Sequence, residues 1–239
     1  MGHLMLLLFA VLVGLTLRLI VNGQFEMDQF LLILLCSLGA VGILLFEKNQ
    51  IKRDRNFVPN HSGNQMVTRM SNRLVSSSKQ IYDYNKFIGT YRRFYNSSWK
   101  RFVAGIMRRP GHWYLNLSFL FSDGEEYIFV GINENKLHGN QKWKVYRGDE
   151  EVGLVRTDLS IKNASKLKES LFLEYDHKTY WYRSFGIGSK TEVSVDENTV
   201  ASGERARGFV YQFTPSHGTE HDAKMLCMVY ILFNYQFGQ

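Results

Sequence analysis

Six basic residues between positions 92 and 109 fall in three pairs, Arg92-Arg93, Lys100-Arg101 and Arg108-Arg109, and the intervals hold Phe94, Tyr95, Trp99 and Phe102. Clustered cations attract anionic headgroups, and Trp and Tyr rings settle where hydrocarbon meets headgroup. The pattern predicts a lipid-binding patch made of Arg92, Arg93, Trp99, Lys100, Arg101, Arg108 and Arg109, on a surface that faces a bilayer. A solvated face or a topology-setting flank is the plainer alternative. Nucleic acid would use the same chemistry, but the acidic C-terminal half and the membrane segments described below speak against it.

Other constellations offer less. His217 and His221 stand four apart with Glu220 between them, the spacing of two metal ligands on a helix. Pro215 and Gly218 put the first of them in a loop, and no third ligand is evident. Gly186-Ile187-Gly188 lacks the third glycine of a nucleotide loop. Asp123, Glu125 and Glu126 suit a hairpin tip, and Lys162, Lys166 and Lys168 suit an exposed turn. The chain has no P-loop, no G-x-S-x-G and no His-Glu-x-x-His. The expectation is a non-enzyme with no cofactor and no metal. Asn96-Ser97-Ser98 and Asn163-Ala164-Ser165 match the glycosylation sequon, which has no consequence in a cytoplasmic domain.

Two apolar runs, Leu4 to Val21 and Phe30 to Phe46, open the chain. A hydrocarbon core needs about 20 mostly apolar residues per helix, so residues 1–47 are expected to form a transmembrane hairpin at the short end of that range. Arg18, near the end of the first run, can snorkel to the interface. The loop between the runs carries only Glu26 and Asp28, whereas Lys48, Lys52, Arg53 and Arg55 follow the second. Basic residues stay in the cytoplasm, so the expectation is a two-span protein of the cell membrane with both termini cytoplasmic. A cleaved signal peptide is the rival, without a basic n-region or a cleavage site to support it. A single span with a buried partner helix is another, because Gly39 and Gly42 interrupt the second run. Cys36 and Cys227 sit in apolar stretches at no disulfide or metal spacing and read as small hydrophobes.

Charge is unevenly spread. Residues 47–113 hold 14 Lys/Arg against 3 Asp/Glu, and residues 114–239 hold 14 against 17. The basic excess therefore lies next to the membrane.

Residues 48–79 read as a basic juxtamembrane linker, with room for one short helix through Met66, Val67, Met70 and Leu74. From residue 80 to 239 the texture is that of short strands. Trp113, Leu115, Leu117, Phe119 and Phe121 share one face, Ser122-Asp123-Gly124 turns, and Tyr127 to Ile132 returns. Leu171 to Tyr175 and Thr179 to Phe185 make another hairpin. An internal echo links Ile81 to Arg92 with Val145 to Arg156, 64 residues apart, with Tyr, Gly and Arg at equal offsets. Val193 to Arg205 is a weaker third copy. Each unit reads as strand, tight turn, strand, with Gly where a bulge or close backbone approach demands it. The last segment breaks this pattern: Met225 to Phe233 is uninterruptedly apolar. A helix from Glu220 to Gln236, capped by Thr219 and ended by Gly238, or a buried strand, both fit.

The units Tyr82 to Arg92 and Tyr146 to Arg156, with the apolar end Ala223 to Phe233, resemble the Tubby C-terminal-like domains, bacterial type. That family is related to the LURP-one and phospholipid scramblase groups. The resemblance implies a mainly β fold, a tubby-like β-barrel around a hydrophobic C-terminal helix, here preceded by two transmembrane α-helices. Eukaryotic tubby domains bind phosphoinositides through basic residues, but no family phosphate-binding motif maps onto this chain residue by residue. Three functions follow as expectations: a membrane-anchored cytoplasmic module contacting anionic headgroups, a tethered adaptor docking another protein, and a scramblase-like lipid translocator. No constellation of titratable residues supports the third.

Overall fold

The computed structural model describes residues 2–23, 27–59, 63, 65–107, 113–132, 140–158, 169–184, 190–216 and 222–238. Helices α1 (Gly2–Asn22) and α2 (Met27–Arg55) come first and pack along each other. At 1.5 Å per residue they run about 31 and 43 Å. Among the described residues one stretch, the 23-residue Ile33–Arg55, is long and apolar enough to cross a membrane. In α1 the stretch Leu7–Val21 is apolar but shorter. Of the expected pair of spans, this stretch of α2 alone meets the requirement among the described residues.

The remainder is a closed antiparallel barrel of β1 (Met66–Arg69), β2 (Lys79–Asp83), β3 (Lys86–Phe94), β4 (Asn116–Phe121), β5 (Glu126–Gly131), β6 (Lys142–Arg147), β7 (Glu150–Thr157), β8 (Glu169–Tyr175), β9 (Lys178–Ser184), β10 (Thr191–Val195), β11 (Asn198–Arg205) and β12 (Val210–Pro215). Each strand pairs with the next in sequence, and β1 closes the ring against β12, with Met66 opposite Phe213. Helix α3 (Ser98–Ile106) interrupts the β3–β4 connection, and α4 (Ala223–Phe237) follows β12.

Strand β1 corrects the expected linker. Met66 to Arg69 is strand rather than helix or free tether, so the barrel begins at Met66 and not at residue 80. Four residues are too few to show a period; pairing on both sides, with β2 and β12, creates the strand.

The hairpins follow their turn chemistry. Tyr84-Asn85, Asp176-His177 and Asp196-Glu197 all have positive φ at both central residues, the two-residue arrangement whose twist matches the strands it joins. The internal echo is a repeated bulged hairpin. Register shifts fall between Ile81 and Tyr82, Val145 and Tyr146, and Val193 and Ser194. Gly89 and Gly153, opposite the first two bulges, are needed there: a Cβ would lie 2.7 Å from the Leu120 carbonyl oxygen and 2.9 Å from that of Glu174. The third copy has Ala201 at the matching place.

Helix α4 fills the barrel. Every residue from Met225 to Gln236 is buried, as a helix apolar all round requires. Inward residues Leu117, Phe119, Phe129, Val145, Val155, Leu173 and Tyr182 surround it. Tyr182 donates to the Leu226 carbonyl at 3.0 Å, and the Tyr230 ring stacks on Phe213 with centroids 5.3 Å apart. Asp222 caps the helix, its Oδ1 accepting from the Met225 N–H at 3.0 Å. The expected cap Thr219 and the start Glu220 lie outside the described residues, and the described helix begins at Ala223. The apolar inside is the reverse of a lipid-facing barrel.

Candidate functional site

Antiparallel topology sorts the connections to two ends of the barrel. One end carries the tight hairpin turns at residues 84–85, 122–125, 148–149, 176–177 and 196–197, and the entry of α4. The other carries the β1–β2 and β3–β4 connections, α3, and the exit of α4. Acids gather at the first end: Asp123, Glu125, Asp149, Glu150, Glu151, Asp176, Asp196 and Glu197. Cations gather at the second: Arg69, Arg73, Lys79, Arg92, Arg93, Lys100, Arg101, Lys142, Lys190 and Arg205. The barrel is electrically polar along its axis.

At the basic end α2 is joined to the barrel by side chains. The Asp54 carboxylate, fully buried, accepts from Arg69 Nη1 at 2.6 Å and from the Ser71 N–H and hydroxyl at 2.9 and 2.7 Å. Arg69 Nη2 also donates to Gln50 Oε1 at 2.7 Å. A buried carboxylate needs this many donors. Sequence reasoning missed the junction. The available signal was an acid, Asp54, standing within the run of cations that follows the apolar segment.

The barrel mouth at this end is cationic inside. Lys79, fully buried, donates to the Tyr235 hydroxyl at 3.1 Å and lies over the Tyr91 and Tyr235 rings. Arg73 donates to the Gly238 carbonyl and, at 2.8 Å, to the Tyr211 hydroxyl. These cations meet the C-terminal end of α4, whose free carbonyls carry partial negative charge.

The expected patch divides. Arg92 is exposed on β3, and Trp99, Lys100 and Arg101 lie together on α3. Arg93 corrects the expectation: it is fully buried, not on the surface. Its Nη1 donates to the Arg73 carbonyl at 2.9 Å, its Nη2 to the Trp113 carbonyl, and its guanidinium covers the Tyr95 ring at 4.8 Å. Burial lowers its pKa, partly offset by Tyr95 and Tyr235. Arg93 therefore holds the floor beneath α3. Arg108 and Arg109 lie outside the described residues, as do His217, His221, Gly186, Gly188, Lys162, Lys166 and Lys168.

Helix α3 is amphipathic. Trp99, Phe102, Val103 and Ile106 recur at the i, i+3, i+4, i+7 spacing of one face. Half of that face is open: Trp99 is 55% and Phe102 65% exposed, whereas Val103 and Ile106 are half-buried. Ala104 is the buried contact, Trp99 meets Tyr114 edge-on at 5.6 Å, and Lys100 lies 5.3 Å over the same ring. α3 also lies against α1.

The acidic end is latched differently. Lys224 pairs with Asp123 and, at 3.3 Å, with Glu125, which also meets Arg147. The Lys224 ammonium holds the Asp123 carboxyl below its usual range. Tyr175 donates to Asp222 at 3.1 Å, and burial, then the Asp222 charge, push its phenol up. Between the β6–β7 and β8–β9 tips opens a cleft of about 710 Å³ lined by Glu150, Glu151, Glu174, Asp176, His177 and Lys178.

Against known proteins, no curated sequence and no solved structure matches the chain significantly. The family model of the Tubby C-terminal-like domain matches residues 69–207. That span runs from the end of β1 into the β11–β12 connection and covers more than half of the chain. The closed barrel, the apolar helix through it and this match agree: the chain belongs to the Tubby C-terminal-like family.

Proposed function

We propose that the protein is a membrane-anchored, non-catalytic module whose barrel rests its basic end on anionic lipid headgroups. The observation that carries this reading is the junction of α2 with Arg69 and Ser71 at the same end as Arg92, Lys100, Arg101, Lys142, Lys190 and Arg205. The helix able to cross a membrane enters the domain on its cationic side. Each surface Lys or Arg near an anionic leaflet contributes about 1 kcal/mol, and tethering makes even weak contacts productive. In this reading α2 crosses the cell membrane, α1 returns beside it as a short second span, and both termini are cytoplasmic, where the charge rule puts them. The family's association with phospholipids supports the same ligand class.

The test uses the full chain in nanodiscs of neutral or anionic lipid. Backbone hydrogen exchange over residues 92–107 is expected to slow in anionic discs, and the slowing to fade as salt screens exposed charge over about 8 Å. Replacing Arg92, Lys100 and Arg101 by Gln should remove the effect and leave the thermal midpoint in place. Equal exchange in both discs would overturn the reading. The adaptor reading would then lead, with the acidic cleft at the far end as its docking face for a basic protein segment.

A further inference from the structure

Helix α3 has a feature that charge attraction leaves unexplained. Headgroup binding needs only cations, yet the outward face of α3 presents Trp99 and Phe102, 55% and 65% exposed, with Met107 just beyond at 40%. A nine-residue helix is marginal in water by itself. Its N-cap Ser97 makes no side-chain capping bond. It is held by the buried Ala104, by Trp99 against Tyr114 and by its seat against α1. The sequence thus maintains a short helix that leaves Trp99 and Phe102, one part of its apolar face, uncovered by the barrel.

We propose that α3 is an interfacial foot: its apolar face, centred on Phe102, sinks into the boundary between headgroups and acyl chains. The occupant of that face is the bilayer, for three reasons. The helix lies against α1, an apolar helix of the anchor. It sits on the basic end, where α2 joins the barrel. Lys100 flanks the apolar face and Arg101 lies on the side opposite it, the polar-against-apolar arrangement by which amphipathic helices lie in the interface plane, and Trp99 has the ring type that collects there. The inference rests on the reading that the basic end faces the membrane, but it adds a different force. Apolar insertion requires no anionic lipid and withstands salt, whereas headgroup attraction requires the first and fails the second.

The experiment places an environment-sensitive fluorophore at Phe102→Cys in full-length protein carrying Cys36→Ser; Cys227 is buried and silent. A control places it at Leu120→Cys, an apolar side chain 53% exposed on the barrel wall. Both proteins are reconstituted in neutral and in anionic bilayers containing acyl-brominated lipid. At position 102 a blue-shifted emission, quenched several-fold more than at 120 and persisting in high salt, is expected in both bilayers. Quenching at 102 no greater than at 120 would overturn the foot. If anionic bilayers still slowed exchange over residues 92–107, the headgroup reading would survive that failure. Strong quenching at 102 without any effect of anionic lipid would establish the foot and remove the headgroup reading. Phe102→Glu supplies a second readout. It should raise amide exchange over residues 98–106 in bilayers and not in detergent; an equal rise in both would show a folding defect and count against insertion.

Discussion

Replacing Asp54 by Ala should uncouple α2 from the barrel. The carboxylate is fully buried and accepts three hydrogen bonds, one from Arg69 at 2.6 Å and two from Ser71. Its loss leaves the Ser71 N–H and hydroxyl unpaired and strips Arg69 of its counter-charge. Breaking a buried pair by removing one partner costs about 3–5 kcal/mol. The Arg69 side chain is 13% exposed and keeps Gln50 as an acceptor, so the lower bound of about 3 kcal/mol is the better expectation. Asp54→Asn, which retains an acceptor for Ser71, should cost about half as much. Urea unfolding of the full chain in nanodiscs, followed by the fluorescence of the buried Trp143, measures both. Asp54→Ala combined with Arg69→Ala should cost clearly less than the two single changes added together, because neighbours in one network couple by 0.5–3 kcal/mol as a rough range. A loss below about 0.5 kcal/mol for Asp54→Ala, the size of an ordinary surface change, would refute the junction. So would strict additivity with Arg69→Ala.

Two further outcomes test the packing inside the barrel. A Cβ on Gly203 would lie 2.2 Å from the Tyr230 ring, so Gly203→Ala should destabilise by roughly 1–3 kcal/mol through overpacking, with partial recovery on adding Tyr230→Leu; calorimetry reads both. Cys227 is buried, and its thiol is pushed up from 9.0 to about 12 by that burial and by Asp83. The folded state therefore resists its ionisation: this contribution to stability is complete below pH 9 and is lost as the pH climbs toward 12. The burial of Tyr91 and Tyr182, also raised, acts in the same sense. In a Cys36→Ser background a thiol reagent at pH 8 should leave Cys227 untouched until the barrel unfolds. Rapid labelling of native protein would show that α4 leaves the barrel readily.

The hairpins were legible because each is specified locally. Period-two alternation sets the faces of β4, β5, β8 and β9, and Asp176-His177 or Asp196-Glu197 sets the turn. The echo between Ile81–Arg92 and Val145–Arg156 was legible for the same reason: a bulge and the glycine opposite it recur together. Strand β1 was not, because its four residues are strand only by virtue of two partners far away in sequence. Arg93 was misjudged through adjacency. Arg92-Arg93 reads as one basic unit along the chain, yet a strand sends neighbours to opposite faces. Tyr91 points inward, so Arg93 does as well and Arg92 does not. The parity of the buried Tyr91 was the signal. On α3, Trp99, Lys100 and Arg101 were found together because three successive residues stay close in any conformation. The open face through Phe102 required the helix to be seen.

The seam between β1 and β12, and the helix α4 that follows it, set the order in which this protein can be completed. Met66 waits for Phe213, and the inward faces of the strands wait for Met225 to Tyr235. During synthesis α1 and α2 precede every strand, so under the proposed anchoring the growing sheet would be held at the bilayer while both its edges and its apolar lining remain open. No early subset of strands can close on itself. Contacts of such long sequence separation form slowly, and exposed strand edges invite pairing with other chains. Under the proposed anchoring, attachment to a membrane during that interval would keep nascent copies apart in two dimensions and so shelter an unfinished barrel before positioning a finished one.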